Sequence, residues 1–172
     1  MAGALIQVAT NTVSSAVASV TLTGINTNDV YMLAFNNVTM NASGKGLYFR
    51  TTTSGSADSD SEYDTAMTFL RSVNAFDPTS SVNGDRWGVG PQRVASGVSS
   101  NGILNLFNFN NSSEYSFNTV DNCFFWSGSN EFAGYAGGSV HTVAEANDGI
   151  QFLTDSGATI TAGTFTLYKI QG

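Results

Sequence analysis

The chain has 172 residues, of which 41% are hydrophobic, 12% aromatic and only 11% charged, with a net charge of −7 and a pI near 4.3. That length predicts one domain able to bury roughly 70% of its unfolded surface, and a charged fraction well below the usual ~25% leaves Ser, Thr, Asn and Gly to cover it. The acidic balance and the scattered Lys and Arg exclude a phosphate-neutralising nucleic-acid surface and disfavour anionic membranes.

In chain order, residues 1–16 are uncharged and rich in Ala, Val and Thr, which fits either a first strand from Leu5 to Ala9 or an arm that docks on a neighbour. Residues 17–172 read as a single β domain. The opening lacks a basic n-region and no apolar run reaches ~18 residues, so the expectation is a soluble product made in a cytoplasm. Residues 19–23 alternate apolar with polar, as a strand with one wet face does. Residues 29–38 place Val30, Met32 and Ala34 on one side and Tyr31, Leu33 and Phe35 on the other, predicting a central strand covered on both faces. A further strand begins at Leu47.

Residues 54–64 are polar and acidic and predict an exposed loop, followed by a strand over 66–73 with Met67, Phe69 and Val73 on one face. Asp77-Pro78 opens a turn-rich stretch in which Asn83-Gly84 and Asn101-Gly102 are the strongest hairpin signals, the second joining residues 87–94 to 103–109. Short strand pieces follow around Phe117 and over 122–126. The glycines of 128–138 suggest bends or bulges at close backbone approaches, residues 139–143 one more strand, and residues 144–147 at most one helical turn. Residues 149–170 read as two closing strands about a Ser156-Gly157 turn, the last with Phe165 and Leu167 on one side and Thr164, Thr166 and Tyr168 on the other. That last strand is expected to pair with early strands. Recurrent turns, β-branched and aromatic enrichment and no 3.6-residue stripe predict an all-β antiparallel sandwich of jelly-roll type.

No catalytic, cofactor or metal constellation emerges. Asp58, Asp60, Glu62 and Asp64 alternate, so in extended backbone all four would face one way and could converge on calcium. Yet the twelfth position from Asp58 is Phe69 rather than a bidentate Glu, which favours a solvated loop. His141 is the sole histidine and no Gly-X-Ser-X-Gly elbow accompanies it, so an enzyme is not expected. Cys123, the sole cysteine, lies in an apolar run and is expected to be a buried, inert thiol. Trp87, Trp126, Phe132 and Tyr135 are more often core than a sugar-stacking shelf; the shelf would make the domain a carbohydrate-binding module.

Residues 28–38 (NDVYMLAFNNV), 47–50 (LYFR), 150–152 (IQF) and 163–168 (GTFTLY) resemble a group of tailed-phage proteins common in phages of marine and freshwater bacteria. The resemblance spans the early core and the end of the chain and leaves the middle unmatched; Leu167-Tyr168-Lys169 departs from a Leu-Tyr-Gly ending frequent in the group. It implies a virion structural protein with a β-sandwich domain and brings no catalytic residue. With an uncharged start and little Lys or Pro to protect strand edges, the expectation is a homo-oligomer, a trimer being one form. It would be mounted on a virion as a capsid decoration or cement protein, or as a tail fibre or adhesin component. Its partners would be other virion proteins, with a host surface glycan as a further one, and it would need no cofactor.

Overall fold

The computed structural model describes residues 3–73, 75–88, 96–126 and 130–171, and every element among them is a strand. Strands β1 (Ala4–Val13), β13 (Ile160–Gln171), β3 (Tyr31–Met40), β9 (Ser100–Phe107), β10 (Tyr115–Trp126), β11 (Glu131–Ala144), β6 (Tyr63–Arg71) and β7 (Ala75–Gly84) form, in that order, an eight-stranded antiparallel sheet. Strands β2 (Ser19–Thr23), β12 (Gly149–Thr154), β4 (Leu47–Thr53) and β5 (Ser56–Ala57) form a second sheet, with β8 (Trp87–Gly88) also paired to β4. The chain changes sheets at every connection except β4–β5, β6–β7, β9–β10 and β10–β11. The set β1-β13-β3-β9 over β2-β12-β4-β5/β8 is a jelly roll, and β10, β11, β6 and β7 extend one of its sheets sideways.

The period-two segments behave as their residues dictate. On β2, Val20 and Leu22 are buried between exposed Ser19, Thr21 and Thr23; on β13, Phe165 and Leu167 are buried and Thr164, Thr166 and Tyr168 are not. β13 pairs with β1 on one side and β3 on the other, so the end of the chain does close on its early strands. Where the sheets meet, Phe152 packs on Phe165 with ring centroids 4.7 Å apart, and Phe49 on Trp87 at 5.0 Å. Such pairs add about 0.5–1.5 kcal/mol each beyond the burial of their area.

Several expectations need correction. β3 is central in its sheet, but only one of its sides faces the core, with Tyr31, Leu33 and Phe35 followed by Val38 and Met40; Val30 is exposed and Met32 and Ala34 are half-buried on the outer side, because the sheet has one opposing layer there. β12 and β13 do not pair with each other. They form an arch, β12 in the small sheet and β13 in the large one. Of the two readings left open for residues 1–16, Ala4–Val13 take the strand, at one edge of the large sheet.

Asp77-Pro78 lies within edge strand β7, where a missing N–H is tolerated, not in a turn. Asn83-Gly84 ends β7, and the chain passes through Asp85 and Arg86 to β8 in the other sheet. Asn101-Gly102 sits inside β9, so no hairpin turns there; Trp87 pairs with Phe49, and residues 89–94 lie outside the described residues. The strand pieces near Phe117 and 122–126 are one strand, β10, and residues 139–143 belong to the longer β11.

Val73 lies past the end of β6 and is exposed, and residues 144–147 form no helical turn, Ala144 being the last residue of β11. Gly134 is a close approach, as its residue type suggested: a Cβ there would collide with the Asn122 carbonyl of β10. Gly128 lies outside the described residues. A hairpin unseen in the sequence joins β4 to β5, with Ser54 and Gly55 at φ 53 and 75, the type I′ geometry that suits strand twist.

One exposed cluster ties the β2–β3 connection to the end of β13. Lys169 Nζ lies 2.5 Å from Asp29 Oδ2, which also accepts a 2.6 Å bond from the Thr27 hydroxyl. The hydrogen bonds from Lys169 and then Thr27 hold the Asp29 carboxyl below its ordinary 3.8. A depressed carboxyl pKa gives stability that is present above the unfolded value and lost as pH falls through the folded one. Asp29→Asn is therefore expected to melt below the parent at neutral pH, and the two melting curves to converge in acid below pH 3.8. A gap that persists there in calorimetry would assign the effect to something other than this charge.

Candidate functional site

The side-chain cluster with the most chemistry gathers around His141. Alternation on β11 turns Ser139 and His141 inward, and His141 sits opposite Tyr63 of β6. Its ring lies 4.8 Å from the Tyr63 ring and meets the edge of Trp87 at 6.3 Å, leaving it fully buried. Trp87 is itself fixed by an indole N–H donated to the Val140 carbonyl at 3.0 Å.

Three carboxylates reach the ring. Asp58 Oδ2 is 2.8 Å and Glu62 Oε2 3.5 Å from Nε2, while Glu145 Oε1 is 3.8 Å from Nδ1. The backbone sets these positions: the Asp58 amide donates to the Thr51 carbonyl at 3.1 Å, and the Thr142 amide donates to the Glu62 carbonyl at 2.9 Å. The Tyr63 hydroxyl donates to the Asp58 carbonyl at 3.0 Å and accepts from the Thr51 amide at 3.3 Å. Burial pushes the Tyr63 phenol above its usual range, so it stays a donor. Desolvation raises the Asp58 carboxyl, but the Asp60 amide and then His141 outweigh it and hold the group below its usual range. Glu62 moves the other way, through desolvation and then the Asp58 charge.

The four alternating carboxylates do not converge. Alternation needs extended backbone, and residues 58–62 turn instead, with the Glu62 amide donating to the Asp60 carbonyl at 3.0 Å. Asp60 is exposed, and Asp64 accepts from the Asn83 amide of β7, away from Asp58. The acidic stretch is thus only partly a solvated loop, because Asp58 is engaged with His141. Glu145 was invisible in the sequence as a member of this group: it approaches the ring only because the chain bends at the end of β11.

Among the described residues no serine or threonine hydroxyl bonds to His141, whose nitrogens face carboxylates alone. The aromatic shelf does not exist, because Trp87 (0% exposed), Trp126 and Tyr135 are core; only Phe132, 59% exposed, meets solvent. Cys123 is half-buried on the outer face of β10 rather than interior, opposite Gly134 and Asn101.

No family model and no curated protein matches this chain. Among solved structures it is similar to a chain of infectious bursal disease virus, Gt strain, at 13% identity and TM-score 0.15, over 99% of this chain and 40% of that one. The Gx strain of that virus gives 11% identity and TM-score 0.13, over 99% and 41%. The chain thus spans about two fifths of these viral chains, and neither fold nor function is argued from so slight a likeness.

A second feature is a surface rather than a cluster. On the outer side of the large sheet Phe125 pairs with Phe132, Phe117 lies between Phe107 and Val140, and Ile103 is opposite Ala34. Phe107, Phe117, Val140 and Val82 wall a shallow, open depression of about 550 Å3. Three of these strands, β7, β10 and β11, belong to the sideways extension. At the sheet's rim, β1 shows Leu5 and Ile6 to solvent and carries no charge and no proline.

Proposed function

We propose that this is a non-enzymatic assembly protein of a phage virion, a capsid decoration or cement protein or a tail fibre or adhesin component, working through protein–protein contacts as a homo-oligomer. The carrying observation is two exposed apolar patches at opposite ends of β10 on the outer face of the large sheet, Phe117 (42% exposed) beside Phe107 and Val140, and Phe132 (59%) beside Phe125. Single exposed apolar residues are ordinary on soluble domains, whereas contiguous ones mark interaction sites. The uncharged β1 edge supports the same reading, since an edge without Lys or Pro is open to pairing with another chain. The resemblance of residues 28–38 and 163–168 to tailed-phage virion proteins supplies the particle, and the net charge of −7 argues against a nucleic-acid partner.

Jelly rolls serve viral capsid and lectin domains alike, so the architecture does not divide virion assembly from glycan recognition. Burial of Trp87 and Tyr135 removes the shelf on which the glycan reading rested. Sedimentation of the parent and of a Phe117→Lys/Phe132→Lys double variant tests the assembly reading. The parent should be a stable oligomer at micromolar concentration and bind purified particles, and the variant should be a folded monomer with at least tenfold weaker association. A parent that stays monomeric and ignores particles would overturn the reading.

A further inference from the structure

We propose that His141, Asp58, Glu62 and Glu145 form a binding site for one divalent cation of the zinc class, with His141 Nε2 and the Asp58 and Glu62 carboxylates as ligands and Glu145 orienting the ring through Nδ1. This site is independent of the assembly surface.

The spacing fits. Ligands about 2.0 Å from a tetrahedral zinc ion lie about 3.3 Å from one another; Nε2 is 2.8 Å from Asp58 Oδ2 and 3.5 Å from Glu62 Oε2, so small side-chain shifts admit the ion. Ligand atoms of Asp58, His141 and Glu145 all lie within 4.8 Å of one another, and Glu62 joins them through its 3.5 Å approach to Nε2. Imidazole with carboxylates suits zinc and its first-row neighbours better than calcium, which takes oxygen ligands only.

The charge also fits. Three carboxylates surround one imidazole, so even an imidazolium leaves two negative charges uncompensated, and among the described residues no Lys or Arg pairs with any of the three. A divalent cation supplies what the protein does not.

A separate observation points to the same place. His141 Nδ1 is fully buried with no hydrogen-bond partner and faces Glu145 Oε1 at 3.8 Å. A metal on Nε2 fixes the ring proton on Nδ1, which then has Glu145 to donate to, the carboxylate–histidine–metal arrangement that orients a ligating ring. The rest of the cradle is rigid: Tyr63 and Trp87 hold the imidazole, and the Asp60 amide holds the other Asp58 oxygen at 2.8 Å. Entry is open, since the Glu62 side chain is 36% exposed. A cation here would clamp the β5–β6 connection and the end of β11 together where the jelly roll passes into its extension.

Titration of zinc chloride into the full chain, stripped with chelator and dialysed, tests the site by calorimetry, with cobalt(II) as a spectroscopic probe. One equivalent should bind and raise the melting temperature, and cobalt should give the visible bands of a low-coordinate site. Asp58→Asn and Glu62→Gln, both at partly exposed positions where folding should survive, should each weaken zinc at least tenfold, Glu145→Gln about tenfold, and His141→Gln should abolish the cobalt bands. Absence of zinc binding by the folded parent overturns the proposal. So does binding that Asp58→Asn and Glu62→Gln leave unchanged, or calcium binding as tight as zinc.

Discussion

Replacing Trp87 with alanine is expected to remove about 3–5 kcal/mol of folding stability, the largest loss available from one side chain of this core. The indole is fully buried and touches both halves of the molecule. It packs on Phe49 at 5.0 Å in the small sheet, on Tyr63 at 5.1 Å in the large one, and on Phe109 at 6.1 Å. It also carries the wall that holds His141 and the hydrogen bond to the Val140 carbonyl. Alanine would remove that hydrogen bond and open a cavity at the junction of the sheets, and residues held on several sides collapse poorly into such space. Urea unfolding of the variant provides the measurement. A loss below about 1 kcal/mol would mean that this region repacks freely and that the junction is not the keystone the geometry makes it.

Arg71→Met is expected to cost about 3–5 kcal/mol, and adding Glu131→Leu to recover most of that loss. Glu131 is the most deeply buried acid with an arginine partner. Arg71 donates from Nε to Glu131 Oε1 at 2.8 Å, and its Nη2 lies 2.7 Å from the same oxygen. The Glu131 side chain is 3% exposed, and Oε2 has no hydrogen-bond partner. The Arg71 guanidinium also lies over the Trp126 ring at 4.4 Å and near that of Phe69 at 5.9 Å. Removing the cation therefore strands a desolvated carboxylate, which is the expensive half of any buried pair. Exchanging both members for apolar groups removes the stranded charge as well. A double variant no more stable than Arg71→Met in chemical denaturation would show that the cation's packing on the aromatic rings, rather than charge compensation, carries the energy.

These two predictions bear on parts of the molecule that differ in how far sequence foretells them. Trp87 follows a turn-rich stretch and Arg71 lies within an expected strand, and neither gives a local sign of its partners. The strands themselves do give signs. Val20 and Leu22, then Leu33 and Phe35, then Phe165 and Leu167 alternate with polar or small residues, and each set faces the core. Where glycines interrupt, the same text is right about close backbone approaches but hides the strand: β11 contains Gly134, Gly137 and Gly138 and is one continuous strand. Close contact with neighbouring backbone, not chain reversal, is what those glycines serve.

The candidate site shows the same division. Asp58 and Glu62 stood out as members of an alternating acidic run, and His141 as a lone imidazole, but nothing local joins residues 83 positions apart. Pairing of β11 with β6, with His141 opposite Tyr63, does that. The Asp60 and Asp64 carboxylates carry the same sequence signal and do not turn toward the ring: Asp60 is exposed and contributes its amide, and Asp64 is bonded to β7.

By itself, then, the sequence determined an all-β sandwich, the faces of its regular strands and the closing role of the final one, because side-chain alternation is a property of a single strand. Only the tertiary structure decided which sheet each strand joins, that β12 and β13 diverge as an arch, that Phe117 and Phe132 face outward, and that one histidine meets three carboxylates. Strands in opposing sheets bury their apolar sides in the same core. Their sequences therefore look alike, and long-range register alone tells them apart.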